Sequence, residues 1–216
     1  MLTAQNIELA YGDGDELTYA VRAVNIALPE KGFVGIMGPS GSGKSSLLYL
    51  LSGLKRPTSG QIEFADRQYS GMNDAQITDL RRRKFGFVFQ QPFLLHYLTA
   101  RENVVTGCEM GDANADNRAA ELLDHLGIGH LGERFPHKLS GGERQRVCVA
   151  RAIVSTPEVI FADEPTAALD HANGHAVINL LQGYRERGLV IVVTHDPEMV
   201  AEADLVYKMR DGRLED

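Results

Sequence analysis

Eight residues, Gly38-Pro39-Ser40-Gly41-Ser42-Gly43-Lys44-Ser45, constrain this chain more than any other stretch. They follow the apolar run Phe33-Val34-Gly35-Ile36-Met37 and lead into Leu47-Leu48-Tyr49-Leu50-Leu51. That order predicts strand, glycine-rich loop and helix, the setting in which such a loop holds phosphate. The glycines let the backbone curl so that successive N–H groups converge on anionic oxygens. The start of a helix near Lys44 adds the positive end of its dipole at the same place. In a loop of this kind the Lys44 ammonium reaches the β- and γ-phosphates of a nucleotide, and the Ser45 hydroxyl goes to Mg²⁺, with Ser46 beside it.

The rest of the chain supplies the sheet that such a loop needs. Leu2 to Tyr11 alternates apolar and polar residues, Gly12-Asp13-Gly14-Asp15 has turn chemistry, and Tyr19 to Leu28 returns, so an antiparallel hairpin opens the chain. After the loop the reading is a helix ending near Gly53, a short strand Gln61–Phe64, and a helix capped at Asn73-Asp74 and running to about Lys84. An aromatic strand, Phe85 to Phe89, then ends at Gln90. From Gln91 to about Thr156 strand signals vanish and helical spacing takes over, at Leu122, Leu123 and Leu126 and again over Gly141 to Val154. Strands return at Val159–Ala162, Leu189–Thr194 and Leu205–Met209, with helices over His171–Arg187 and Pro197–Ala203 between them and a hairpin turn at Asp211-Gly212. The prediction is an α/β phosphate-loop core with a mainly parallel sheet, an N-terminal antiparallel β region and an inserted helical subdomain. In residue terms, 1–90 and 157–216 form the core and 91–156 the insertion, all within one domain.

A second chemical stretch is Val159-Ile160-Phe161-Ala162-Asp163, a buried-type strand delivering an acid at its carboxyl end, with Glu164 next. Ligands in open α/β sheets bind at that end of the strands, so Asp163 and Glu164 are expected beside the phosphate loop. Asp163 suits Mg²⁺ through its water shell, and Glu164 suits orienting or deprotonating an attacking water.

The third is Leu139-Ser140-Gly141-Gly142-Glu143-Arg144-Gln145-Arg146. By itself it reads as a helix N-cap. Together with the two stretches above it resembles the signature of the ATP-binding-cassette (ABC) ATPases, and the resemblance extends over essentially the whole chain. It implies that Gln90 is the glutamine-loop residue, Ala168-Leu169-Asp170 the aspartate loop, His195 the switch histidine and Tyr11 the adenine-stacking aromatic, with Tyr19 the rival for that last role. Glu143 stands where the family most often has glutamine, and Ala167 where close relatives often have glycine. The resemblance further implies two copies paired head to tail around two ATP and Mg²⁺, with Ser140, Gly141 and Gly142 of one copy on the nucleotide of the other and Asp170 at the seam. Lys44, Gln90, Glu164 and His195 would be the catalytic group, Ser45, Gln90 and Asp163 the metal ligands.

Composition narrows the role. A net charge of −7 argues against a nucleic-acid surface, and Arg81-Arg82-Arg83-Lys84 reads as a solvated helix end rather than a binding patch. Cys108 and Cys148 have no paired spacing, so neither a disulfide framework nor a zinc site is indicated, and Cys148 reads as buried packing. His96, His125, His130 and His137 lack ligand spacing. No apolar run approaches the ~20 residues of a membrane span, so a soluble chain acting on a membrane through a partner is expected. Phe93 to Leu98 is either subdomain core or the groove that receives a transporter's coupling helix. The chain ends within a few residues of its last hairpin, so no regulatory domain, fused membrane domain or second cassette is expected. The stretches Phe85–Gln90, Leu94-Leu95, Glu102-Asn103-Val104 and Ala162–Thr166 look like the group serving macrolide export, lipoprotein release and haem export, which puts the chain at the cytoplasmic face of a bacterial inner membrane. A signalling cassette of the cell-division type is the alternative. A DNA-repair cassette would need a heptad coiled coil that is missing here, and a translation-factor cassette carries two ATP modules.

Overall fold

The computed structural model describes residues 1–12 and 17–215, so the turn expected over Asp13 to Asp15 lies outside the described residues. In chain order the elements are β1 (Leu2–Tyr11), β2 (Thr18–Leu28), β3 (Gly32–Met37), α1 (Lys44–Leu51), β4 (Ser59–Phe64), β5 (Arg67–Gln68), α2 (Asp74–Lys84), β6 (Phe85–Val88), α3 (Ala100–Val105), α4 (Ala115–His125), α5 (Gly141–Ile153), β7 (Val159–Asp163), α6 (His171–Gln182), β8 (Leu189–Thr194), β9 (Leu205–Arg210) and β10 (Arg213–Glu215). They make an antiparallel sheet, β2-β1-β4-β5, and a six-stranded sheet, β10-β9-β3-β8-β7-β6. All neighbours in the larger sheet run parallel except the edge hairpin β9–β10. This is the α/β architecture expected from the sequence.

The central strands are apolar up to their carboxyl ends because both of their faces are covered. Side chains alternate across a strand, and the two faces feed different cores. Val34 and Ile36 of β3, Val159 and Phe161 of β7, and Leu189, Ile191 and Val193 of β8 join one cluster with Leu47, Leu48, Leu50 and Leu51 of α1 and the antiparallel sheet. Phe33, Ile160, Ala162, Val190 and Val192 point the other way, against Val149 and Ala152 of α5 and Val177, Ile178 and Leu181 of α6. A third cluster, centred on Ala100, Val104, Ala119, Leu123, Val147 and Cys148, lies among the helices. Helix α5 belongs to both of the last two, which ties the helical region to the sheet.

Phe161 is fully buried, with its ring edge-on to Phe85 at 5.1 Å and stacked on Phe87 at 5.7 Å. Phe161→Ala is therefore expected to cost about 3–5 kcal/mol of stability, read as a fall in Tm of roughly 10 °C. A change within a degree or two would show that this core repacks freely.

Cys148 is buried as expected, and burial pushes its thiol up to about 11 from 9.0. The folded state thus holds this proton more tightly than the unfolded state. Stability from this group is complete below pH 9 and is lost as pH rises towards 11, an effect of about 2–3 kcal/mol. A Cys148→Ala chain should lose less stability across that window in denaturant titrations, and native-state thiol labelling near neutral pH should leave Cys148 unmodified. Equal losses in the two chains would refute this.

Several elements differ from the sequence reading. The six-residue α3 and the two-residue β5 were not expected, because neither is long enough to show a period. The helix expected over His171–Arg187 ends at Gln182, and the chain then makes tight turns at Gly183, Tyr184, Arg185 and Gly188. Pro197–Val200 is a single 3₁₀ turn, shorter than the helix expected there.

Candidate functional site

The strand-to-helix junction after β3 curls as the glycines require. Gly43, at φ 100°, is the residue before α1, and a Cβ there would lie 2.1 Å from the Ala20 carbonyl oxygen. Only glycine fits that position. The junction opens onto a cavity of about 590 Å³, lined by Pro39, Ser40, Gly41, Gly43, Lys44 and Ser45 from the loop and by Gln90, Glu164, Ala167 and His195 from three other segments. That volume suits a nucleotide-sized ligand.

Lys44 is buried, at 6% exposure, and its ammonium donates to the main-chain oxygens of Gly38 (2.8 Å) and Pro39 (3.0 Å). It also lies 3.9 Å from a carboxylate oxygen of Glu164. The parallel register of β3, β8 and β7 ends Met37, Thr194 and Asp163 at one edge of the sheet, which brings the loop, the acids and His195 together. Ser45 donates to Asp163 Oδ1 at 2.7 Å. Tyr49, one helical turn further along α1, donates to Asp163 Oδ2 at 2.7 Å. Burial, and then the Asp163 hydrogen bond and charge, push the Tyr49 phenol up to about 12. Tyr49 was not among the residues expected here. Its spacing four residues after Ser45 was the available signal, hidden inside an apolar run.

Glu164 follows β7 in the left-handed region, at φ 45°. This conformation costs a non-glycine residue on the order of 1–3 kcal/mol. It is held by the Glu164 N–H donating to Val193 O at 3.0 Å and by a turn closed from Ala167 N–H to Glu164 O at 3.2 Å. The result aims the carboxylate into the cavity, where both its oxygens lie 3.0 Å from His195 Nδ1. In the tautomer with its proton on Nδ1, His195 donates to this carboxylate, which leaves Nε2 of the exposed ring free for a ligand. Ser45, Asp163 and the Gln90 amide are hard oxygen donors of the kind that Mg²⁺ takes.

The other expected site residues lie elsewhere. Ser140, Gly141, Gly142, Asp170 and Tyr11 do not line this cavity. Ser140 caps α5 in a reciprocal box with Glu143: Ser140 N–H donates to the Glu143 carboxylate at 2.7 Å, and Glu143 N–H to Ser140 Oγ at 3.3 Å. That N–H also holds the Glu143 carboxyl below its ordinary range. A carboxylate fills the cap as well as an amide does, so Glu143 leaves the local geometry intact. A Cβ on Gly142 would come within 2.7 Å of the Asn173 amide oxygen, so any side chain there would have to displace that of Asn173 on α6. Asp170 caps α6 through Asn173 N–H at 2.9 Å, and the bonds from Asn173 hold its carboxyl low. Gln145 of α5 donates to Phe89 O at 3.1 Å and so anchors the segment before Gln90. Tyr11 is exposed, with the Lys55 ammonium 4.8 Å from its ring centre. Tyr19 is half-buried and faces Arg22 instead.

Comparison with known proteins adds what one chain cannot show. The sequence profile described as ABC transporter matches residues 21–167. An uncharacterised ABC transporter ATP-binding protein of Methanocaldococcus jannaschii, MJ1508, is 41% identical, with 99% of this chain and 97% of that one covered. The lipoprotein-releasing system ATP-binding protein LolD of Hydrogenovibrio crunogenus is 39% identical, covering 99% of this chain and 95% of its own. The ATP-binding cassette MJ0796, also of M. jannaschii, has been solved as a dimer in a post-hydrolysis state bound to ADP and Pi; it superposes with a TM-score of 0.91 at 36% identity, covering 100% of this chain and 97% of that one. The phosphate loop, the carboxylates at the end of β7 and the capped glycines of α5 thus have one common explanation: the chain belongs to the ABC transporter family and is an ATP-binding, ATP-hydrolysing cassette.

Proposed function

We propose that this cassette drives export or extrusion: two copies pair head to tail around two ATP, and their closure is passed to a separate integral membrane subunit docked near Gln90–Leu98. Within each copy Lys44 and the Gly38–Ser46 backbone hold the β- and γ-phosphates, and Tyr11 stacks on the adenine. Glu164 orients the attacking water and takes its proton, and His195 turns its free Nε2 to the γ-phosphate. Ser45, Asp163 and Gln90 would hold Mg²⁺, which neutralises phosphate charge when bound.

Pairing is supported by the separation of Ser140, Gly141 and Gly142 from the chain's own nucleotide cavity. In this reading the N-terminus of α5 takes the γ-phosphate that a second copy's phosphate loop presents to it. Asp170 then lies at the seam.

The observation that carries the coupling proposal is the continuity of the cavity with an exposed apolar surface. Gln90 lines the cavity, and three to seven residues later Phe93 (62% exposed), Leu95 (39%) and Tyr97 (74%) stand in solvent, while Leu94 alone turns into the helical core. Asn103 braces this segment, accepting from Leu95 N–H at 2.7 Å and donating to the Leu95, Leu98 and Thr99 oxygens. A rigid loop that offers aromatic side chains outward has the form of a docking surface. No helix among the described residues is long and apolar enough to cross a membrane, so the reading places the chain peripherally, at the cytoplasmic face of the bacterial inner membrane. The LolD likeness favours release or export over import, and no nucleic acid is involved.

The test is to trap a tagged Glu164→Gln chain with ATP, extract membranes in mild detergent and identify what co-purifies. An integral membrane protein with few spans and a large extracytoplasmic domain is expected, and Phe93→Asp with Tyr97→Asp should release it. Recovery of the chain with no membrane partner would overturn the coupling reading and leave the ATPase in place.

A further inference from the structure

Outside the nucleotide cavity, three side chains that no step above uses converge on one point. His171 and His175 are one turn apart on α6, and Glu198 lies in the 3₁₀ turn after His195. His171 Nε2 is 2.8 Å from Glu198 Oε2, His175 Nε2 is 3.2 Å from His171 Nε2, and His175 Nε2 is 3.7 Å from the same Glu198 oxygen. Two ligands at 2.0–2.1 Å in a tetrahedral zinc centre stand about 3.3 Å apart. The three edges of this triangle bracket that value, with all three ligand atoms facing inward.

The geometry points to a divalent transition-metal site of the zinc class, held by His171, His175 and Glu198 with its fourth position open to solvent. Two imidazole nitrogens with one carboxylate favour Zn²⁺, Ni²⁺ or Cu²⁺ over Mg²⁺ or Ca²⁺, which take oxygen. The supports belong to the fold itself: Asp170 caps α6, and Asp196 Oδ1 accepts from Glu198 N–H at 2.9 Å. Little ordering cost therefore falls on binding.

The consequence follows from what each end of the site is attached to. Helix α6 begins at His171, four residues after Ala167, and Glu198 comes three residues after His195. Glu164, Ala167 and His195 all line the nucleotide cavity. A bound ion would thus staple the two cavity walls to each other from outside.

The experiment uses the untagged full chain, stripped with chelator and free of nucleotide and Mg²⁺. Titration with Zn²⁺, followed by equilibrium dialysis and metal analysis, is expected to give one equivalent per chain. Co²⁺ should give the strong visible absorption of a four-coordinate site, and Zn²⁺ at about a hundred times Kd should raise Tm by roughly 5–10 °C. His175→Ala and Glu198→Gln should each weaken Zn²⁺ binding at least about tenfold while nucleotide binding persists, which also confirms that both variants fold. Substoichiometric uptake by the unmodified chain, or affinity unchanged in both variants, would overturn the assignment.

Discussion

Replacing Glu164 with Gln is expected to lower steady-state ATP hydrolysis by about 100- to 10,000-fold and to leave ATP binding nearly intact. Glutamine has the same length and can adopt the same backbone, so the φ of 45° and the two main-chain hydrogen bonds that hold it remain. Its amide oxygen can still accept from His195 Nδ1–H. What disappears is a carboxylate able to take a proton from water, together with the negative charge 3.9 Å from Lys44. The Lys44 ammonium keeps its two main-chain acceptors, so the phosphate cradle survives. A phosphate-release assay at saturating ATP, paired with a nucleotide-binding titration, separates the two properties. Full-rate hydrolysis by this variant would remove Glu164 from the chemistry and point to another base. In the paired-cassette reading the same variant should also accumulate as an ATP-dependent dimer, visible as a doubling of mass in light scattering.

Lys44→Ala is expected to fail differently, losing binding as well as turnover. Hydrolysis should fall by about 100- to 1,000-fold, the usual cost of removing one preorganised charge stabiliser, and ATP affinity should drop alongside it. Lys44 is the one lysine or arginine lining the cavity among the described residues. Its removal leaves the Gly38 and Pro39 oxygens without their donor and leaves Glu164 without its nearby cation. Because Lys44 is buried, a melting curve must accompany the kinetics. Lys44→Arg serves as the second variant: it restores the charge but presents a rigid planar fork where a point charge is needed. Partial recovery of binding without full recovery of rate is the expected result for Arg. Hydrolysis undiminished in Lys44→Ala would refute the role of the loop, whatever its geometry.

The two variants divide the site into the parts that the residues suggest. In the proposed reading one holds the nucleotide before the chemistry and the other handles a proton during it. Affinity lost in Glu164→Gln but retained in Lys44→Ala would invert the assignment.

Much of this was legible in the amino-acid order, for reasons that are local. The doubly covered strands betray themselves as unbroken apolar runs, and the phosphate loop is announced by glycines that its backbone cannot do without. Asn73 and Ser140 cap helices through side chains reaching only three residues ahead, and such reach is visible in a linear string. The segments that escaped notice are those whose conformation is imposed by neighbours. Helix α3 has six residues, too few to display a period. It is set by Ala100 N–H and Arg101 N–H donating to the Arg134 and Gly132 oxygens some thirty residues away. The stop of α6 at Gln182 is likewise tertiary: Tyr184 must turn inward to donate to Pro157 O at 2.8 Å.

The site follows the same division. Sequence alone singled out the residues proposed to carry the phosphate chemistry, because glycine, lysine and serine suit the backbone and charge of such a loop wherever it occurs. Only the fold decided that Tyr49 shares Asp163 with Ser45, that His195 faces Glu164, and that Ser140 lies away from the cavity. It also brought Glu198 to His171 and His175 across a gap no spacing rule spans. Hydrogen bonds and metal sites depend on distances of about 3 Å, and contacts that short between remote residues exist only once parallel strands have been laid side by side.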